Sequence, residues 1–83
     1  MDKDWFVYVL RCVDNSLYTG ITTNIERRLK EHNNGKKGAT YTRVRRPLVL
    51  FHAEGPMSRS EAIQRELAIK KMSKKEKEEL RNL

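Results

Sequence analysis

The chain has 83 residues, 37% hydrophobic and 35% charged, with a formal net charge of +7. That length suits one small domain with little core to spare and excludes a second, and with two Pro and four Gly the composition is that of a folded globule, not a disordered chain. The longest apolar run, Trp5 to Leu10, falls far short of the roughly 20 residues that span a bilayer, the start lacks a signal-peptide pattern, and Cys12, the only cysteine, excludes an internal disulfide and argues against a zinc site.

Trp5 to Val13 is rich in β-branched and aromatic residues, and Leu17 to Thr22 follows the turn formers Asp14, Asn15 and Ser16, so the chain opens with a predicted β-hairpin. Thr23 with Glu26, Ser58 with Glu61, and Ser73 with Glu76 each have the spacing of a reciprocal helix cap, and a helix is predicted after each. The segment from Gly35 to Arg46 has little periodicity, whereas Leu48 to Ala53 is a third strand candidate that ends in the turn Glu54, Gly55, Pro56. The predicted order is ββαβαα, an α/β fold of the α+β kind in which a small three-stranded antiparallel sheet is flanked by helices, with residues 1–83 forming one domain. The last helix, Lys74 to Leu83, offers only Leu80 and Leu83 as large apolar residues, so it is expected to be short or loosely docked and to carry no chemistry.

The charge is concentrated. Between Glu26 and Pro47, Arg27, Arg28, Lys30, Lys36, Lys37, Arg43, Arg45 and Arg46 face only Glu26 and Glu31. Such a stretch suits a polyanion, nucleic acid above all, or a basic face kept for solubility, and charge alone does not separate the two. The expected setting is the cytoplasm, without membrane contact.

Several polar residues sit where packing alone does not call for them. At about 100° per residue, the first helix centres its apolar face on Ile25 and Leu29, flanked by Arg28 and His32, which lie four apart on one side. Arg28 either covers the core edge with its stem or serves a ligand, and His32 on the same grounds reads as structural. In the second helix Ala62, Ile63, Leu67 and Ile69 define an apolar arc that includes Glu66, a carboxylate that needs either a basic partner or a metal ion. Strand alternation puts Phe6, Tyr8, Leu10 and Cys12 on one face and Trp5, Val7, Val9 and Arg11 on the other. If the hairpin loop has an odd number of residues, Tyr8 and Tyr18 share a face, as core-edge side chains or as part of a site. Gly20, inside the second strand, leaves room for another group to approach the backbone.

Phe6-Val7-Tyr8, Tyr18-Thr19-Gly20, the run Asn24 to His32 with Arg28, and Arg65-Glu66-Leu67 together resemble the GIY-YIG nuclease family, which includes intron-homing endonucleases and the first half of a bacterial excinuclease protein. Each triad is weak alone, but the ordered set of Tyr8, Tyr18, Gly20, Arg28 and Glu66 is specific, and the likeness extends over nearly the whole chain. The chain most resembles small stand-alone bacterial members with a Tyr41-Thr42-Arg43 loop; Phe6 and Val7 replace the first Gly and Ile of the namesake motifs, and Thr19 replaces the second Ile.

The resemblance implies an endonuclease that hydrolyses phosphodiester bonds of nucleic acid, with DNA the expected substrate. A single divalent ion, Mg²⁺ or Mn²⁺, would sit on Glu66, Arg28 would grip a phosphate, Tyr8 and Tyr18 would orient and deprotonate water, and His32 would assist. Gly20, Lys36, Lys37, Tyr41, Arg43, Arg45 and Arg46 would contact the nucleic acid. The alternative is a nucleic-acid-binding module without catalysis on the same scaffold. A protein partner for targeting is compatible with either function, and the oligomeric state stays open.

Overall fold

The apolar run at the start of the chain becomes the middle strand of the sheet, and this accounts for its composition. A computed structural model describes residues 3–35 and 37–82. The elements are β1 (Trp5–Arg11), β2 (Leu17–Thr22), α1 (Ile25–Asn33), α2 (Thr40–Arg43), β3 (Val49–Met57), α3 (Arg59–Lys70) and α4 (Lys74–Glu79), closed by a 3-10 turn at Leu80–Asn82. Both strand pairs are antiparallel and the sheet order is β2-β1-β3, so β1 has a paired strand along each edge. Val7 and Val9 point to α3, where they meet Ala62, Ile69 and Leu80, while Tyr8, Leu10 and Cys12 point the other way, with Leu48, Ile25 and Leu29. The predicted alternation therefore holds, and complete burial of Val7, Val9 and Leu10 contributes about 1.5–3 kcal/mol each. Among the described residues no helix is long and apolar enough to cross a membrane.

The hairpin register pairs Tyr8 with Gly20 and Leu10 with Tyr18, which puts both tyrosines on the α1 face. Ser58 and Ser73 close full capping boxes with Glu61 and Glu76. The expected Thr23 cap is replaced by Asn24, whose side chain accepts from the Arg27 N–H at 3.0 Å. Asparagine is the stronger N-cap, and the chance Thr23–Glu26 spacing lies one residue too early.

The third strand corrects the expected boundary, because it runs on through Glu54, Gly55 and Pro56 to Met57. Gly55 has φ +136°, and a Cβ there would stand 2.8 Å from the Trp5 carbonyl oxygen. A glycine bulge between the Trp5 and Val7 pairings absorbs the irregularity. Pro56 is tolerated because β3 is an edge strand, which has one side without a partner to satisfy. The aperiodic segment holds α2, a single turn too short to leave a periodic trace. The last helix is short, as expected, at six residues, but it is not loosely docked: Arg11 forks onto Glu78 at 2.6 and 2.5 Å, and Lys74 donates to the Asn15 carbonyl at 2.7 Å. That fork holds the Glu78 carboxyl down at about 2. Leu83, also assigned to that helix, lies outside the described residues.

Candidate active site

Tyr8 projects from β1 toward α1 across its cross-strand partner Gly20. The missing Cβ at Gly20 is what seats the ring: a Cβ built there would stand 2.5 Å from the Tyr8 hydroxyl oxygen and 2.7 Å from the carbon that bears it. The group that approaches this backbone is thus Tyr8 itself. Because the Tyr8 side chain is buried and tightly held, Gly20→Ala is expected to destabilise the fold by about 1–3 kcal/mol through overpacking, measured as a lowered urea midpoint. An unchanged midpoint would mean the ring can tilt away at no expense.

The helix α1 delivers Arg28 and His32 on one face, as their spacing requires. His32 is fully buried, with Nε2 2.8 Å from the Tyr8 hydroxyl and Nδ1 2.7 Å from the Thr42 hydroxyl. Burial, helped by the nearby Arg28 charge, brings its pKa down to about 4, so the ring is neutral near pH 7. Burial also pushes the Tyr8 phenol up to about 12, against the pull of Arg28 beside it. Arg28 donates to the Lys37 carbonyl at 2.7 Å and to Glu31 at 3.0 Å. Tyr18 completes the cluster, its ring centroid 6.5 Å from Tyr8 and 5.1 Å, edge-on, from His32.

α2 attaches the preceding loop to this cluster through two consecutive residues, Tyr41 and Thr42. Tyr41 stacks on Tyr18 at 5.9 Å, Thr42 is buried against His32, and Arg43 is exposed. Arg45 and Arg46, expected to face nucleic acid, turn back onto the chain. Arg45 lies 3.7 Å over the Tyr41 ring and bonds Asp14 at 3.0 Å and the Tyr41 carbonyl at 2.9 Å. Arg46 holds the end of α1 through the carbonyls of His32 at 2.7 Å and Gly35 at 2.8 Å. Lys37 and Arg43 remain as outward-facing cations of this stretch among the described residues, and Lys36 lies outside them.

Glu66 comes from α3, on the other side of the sheet, yet its charge adds to the upward push on Tyr8. Its side chain is 19% exposed and carries one cation already, the Lys70 ammonium at 3.2 Å. Leu67, assigned to the buried arc, is 52% exposed, while Ala62 and Ile69 are buried. The described residues hold no group of three or more His, Cys, Asp or Glu able to cage a metal. What Glu66 offers is one hard carboxylate that accommodates a positive charge. This fits Mg²⁺ or Mn²⁺, which keep most of their water and take further oxygens from a phosphate.

A concavity of about 390 Å³ lies on the outer face of α1, lined by Asn24, Glu26, Arg27, Lys30 and Glu31, and takes in none of Tyr8, His32 or Glu66. Thr42 was not legible as a site residue, because only the fold turns its hydroxyl inward; its one sequence signal is the Tyr41-Thr42-Arg43 string itself.

A family model described as the GIY-YIG catalytic domain matches residues 4–79. The chain is 59% identical over 69 residues to a UPF0213 protein of Desulfotalea psychrophila, covering 83% of this chain but 63% of that one. It is 54% identical over 80 residues to a UPF0213 protein of Natronomonas pharaonis, covering 96% and 93%. A solution NMR structure of an E. faecalis protein superimposes with a TM-score of 0.60 at 49% identity over 89% of this chain and 78% of that one, and one of a Bacillus halodurans UPF0213 protein with 0.58 at 45% over 92% and 80%. Sequence and fold agree from the first strand to the last helix, and the chain belongs to the GIY-YIG family.

Proposed function

We propose that the chain is a metal-dependent endonuclease that hydrolyses phosphodiester bonds of nucleic acid, with DNA as the expected substrate. The observation that carries this is the buried contact of 2.8 Å between the Tyr8 hydroxyl and a neutral His32, beside Arg28 and within reach of the Glu66 charge. Two titratable groups are held in hydrogen-bond contact with pKa values pushed far apart, which is an arrangement for moving a proton.

A phenol near 12 is un-ionised at neutral pH, so Tyr8 is not a standing base. Transfer of its proton to the neutral imidazole is uphill at rest, since burial pushes the phenol up and the imidazole down, so it belongs to the moment when water attacks. As the water loses a proton to the Tyr8 oxygen, the Tyr8 proton passes to His32 Nε2, the new oxygen–phosphorus bond forms and the bond to the leaving oxygen breaks. Arg28 grips a phosphate oxygen with its planar fork in exchange for Glu31. Glu66 would hold the divalent ion, which when bound would supply a Lewis acid against the charge growing on the phosphate. Tyr18 fixes the attacking water or packs Tyr8, and Lys37 and Arg43 track the backbone.

The test is cleavage of labelled single-stranded, duplex, flapped and branched DNA and RNA with Mg²⁺ or Mn²⁺. Cuts that vanish on chelation are expected, and Arg28→Lys should slow them roughly tenfold or more, because an ammonium cannot replace a two-pronged contact. A wild type that binds the panel and never cuts would leave a binding module as the function of the chain.

A further inference from the structure

We propose that Thr42 is a positioning residue, its buried hydroxyl locking His32 in the tautomer that carries its proton on Nδ1 and so leaving Nε2 bare to receive the proton of Tyr8. The assignment rests on the nuclease function above and follows from counting hydrogens along the chain of contacts Tyr8, His32, Thr42 and Ala39.

The count starts at Tyr8. The buried phenol carries one proton and needs an acceptor for it. The acceptor within reach is His32 Nε2 at 2.8 Å. If Nε2 carried the ring proton, it would donate to Tyr8 and the phenol's own proton would be left without an acceptor on a residue that is 2% exposed. Nε2 is therefore bare. A neutral imidazole has one N–H, so that proton sits on Nδ1 and is donated to the Thr42 oxygen at 2.7 Å. The Thr42 hydroxyl, accepting on that side, turns its single proton to the Ala39 carbonyl at 2.9 Å. That carbonyl also receives the backbone N–H groups of Thr42 and Arg43 at 3.1 Å. A third donor there is the strain in the network, and the Tyr8 end decides the direction, because there the opposite assignment leaves a buried proton unpaired.

Each link has one polarity, so a change at Thr42 is felt at Tyr8 although the two residues do not share a bond. α2 exists to make this link. One helical turn after Ala39 brings the hydroxyl of Thr42 under the imidazole while its own carbonyl acceptor sits at the start of the same turn.

The experiment is ¹⁵N NMR of the imidazole ring nitrogens in the full chain at pH 7, in wild type, Thr42→Ser and Thr42→Val, with cleavage rates on the same samples. The wild-type spectrum should show a protonated Nδ1 and a bare Nε2. Thr42→Ser should keep that pattern and a rate within about threefold of wild type. Thr42→Val, close to threonine in shape but without the hydroxyl, should mix the tautomers and slow cleavage roughly tenfold or more. A wild-type spectrum with the proton on Nε2 overturns the proposal, even if Thr42→Val fails to fold. So does a folded Thr42→Val with unchanged tautomer and rate. A locked tautomer in a chain that cuts nothing sustains the lock and refutes the nuclease function, so the two stand or fall separately.

Discussion

Glu66→Gln should abolish metal-dependent cleavage, by a factor of roughly 10³ or more, while leaving the fold as it is. The substitution keeps the shape of the side chain and removes only its charge, so the loss measures the carboxylate and not a cavity. Little stability goes with it. The partner, Lys70 at 3.2 Å, is one turn along the same helix and half exposed, and pairs of that kind contribute about 0.3–0.5 kcal/mol. α3 is held at its start by the full capping box of Ser58 and Glu61 and fixed to β3 by the fork of Arg65 on Glu54 at 2.7 and 2.9 Å, neither of which touches Glu66. A second signal reports on the same charge without any substrate. The negative charge of Glu66 helps to hold the Tyr8 phenol up, so in Glu66→Gln the phenol should titrate at lower pH in an ultraviolet absorbance titration. Cleavage within tenfold of wild type would remove Glu66 from the reaction, whatever the titration showed.

Tyr8→Phe is expected to cut the rate by about 10² to 10⁴ by deleting the relay between water and His32. It should also destabilise the fold by about 1–3 kcal/mol, since Nε2 of a fully buried imidazole loses its partner. Both effects can be followed against pH. The folded pKa of His32, about 4, lies below its ordinary value of 6.5. Between those two values the unfolded chain binds more protons than the folded one, so stability is fully present above 6.5 and is lost as pH falls toward 4. The burial of His32 accounts for up to about 3 kcal/mol of that loss. In wild type the cleavage rate should have an acid limb near pH 4, where Nε2 takes a proton from solvent and no longer accepts one from Tyr8. In Tyr8→Phe the residual rate should lose that limb. Urea unfolding and cleavage across pH 4 to 7 check both, and a Tyr8→Phe enzyme with the wild-type rate would exclude the relay.

The architecture was legible because it is written in repeated local signals. Alternation along Trp5 to Arg11 placed Tyr8 and Val7 on opposite faces, and the two serine boxes marked the starts of α3 and α4. What stayed hidden depended on single residues whose role is set by contacts far along the chain. Gly55 looked like a turn because glycine before proline usually is one, yet on an edge strand the same pair makes a bulge and the strand continues. Counting charge between Glu26 and Pro47 marked a basic stretch correctly, but a count does not say where a guanidinium points. Arg45 and Arg46 close on Asp14 and on backbone carbonyls. Within the site, spacing put Tyr8 with Tyr18 and Arg28 with His32 on shared faces but left each a structural reading, and only the resemblance to the GIY-YIG family gave them roles; Thr42 had neither, since a threonine in an unpredicted turn carries no mark of the imidazole above it.

Tyr8 stands on the one strand that has a neighbour on each side, while Lys37 and Arg43 stand on the surface of a loop and a single helical turn. The two parts of the molecule therefore answer differently to mutation. Changes at Tyr8 disturb the frame of the whole domain. Changes at the outer cations leave the sheet and its packing untouched, so the charge carried by that loop can vary while the frame stays put.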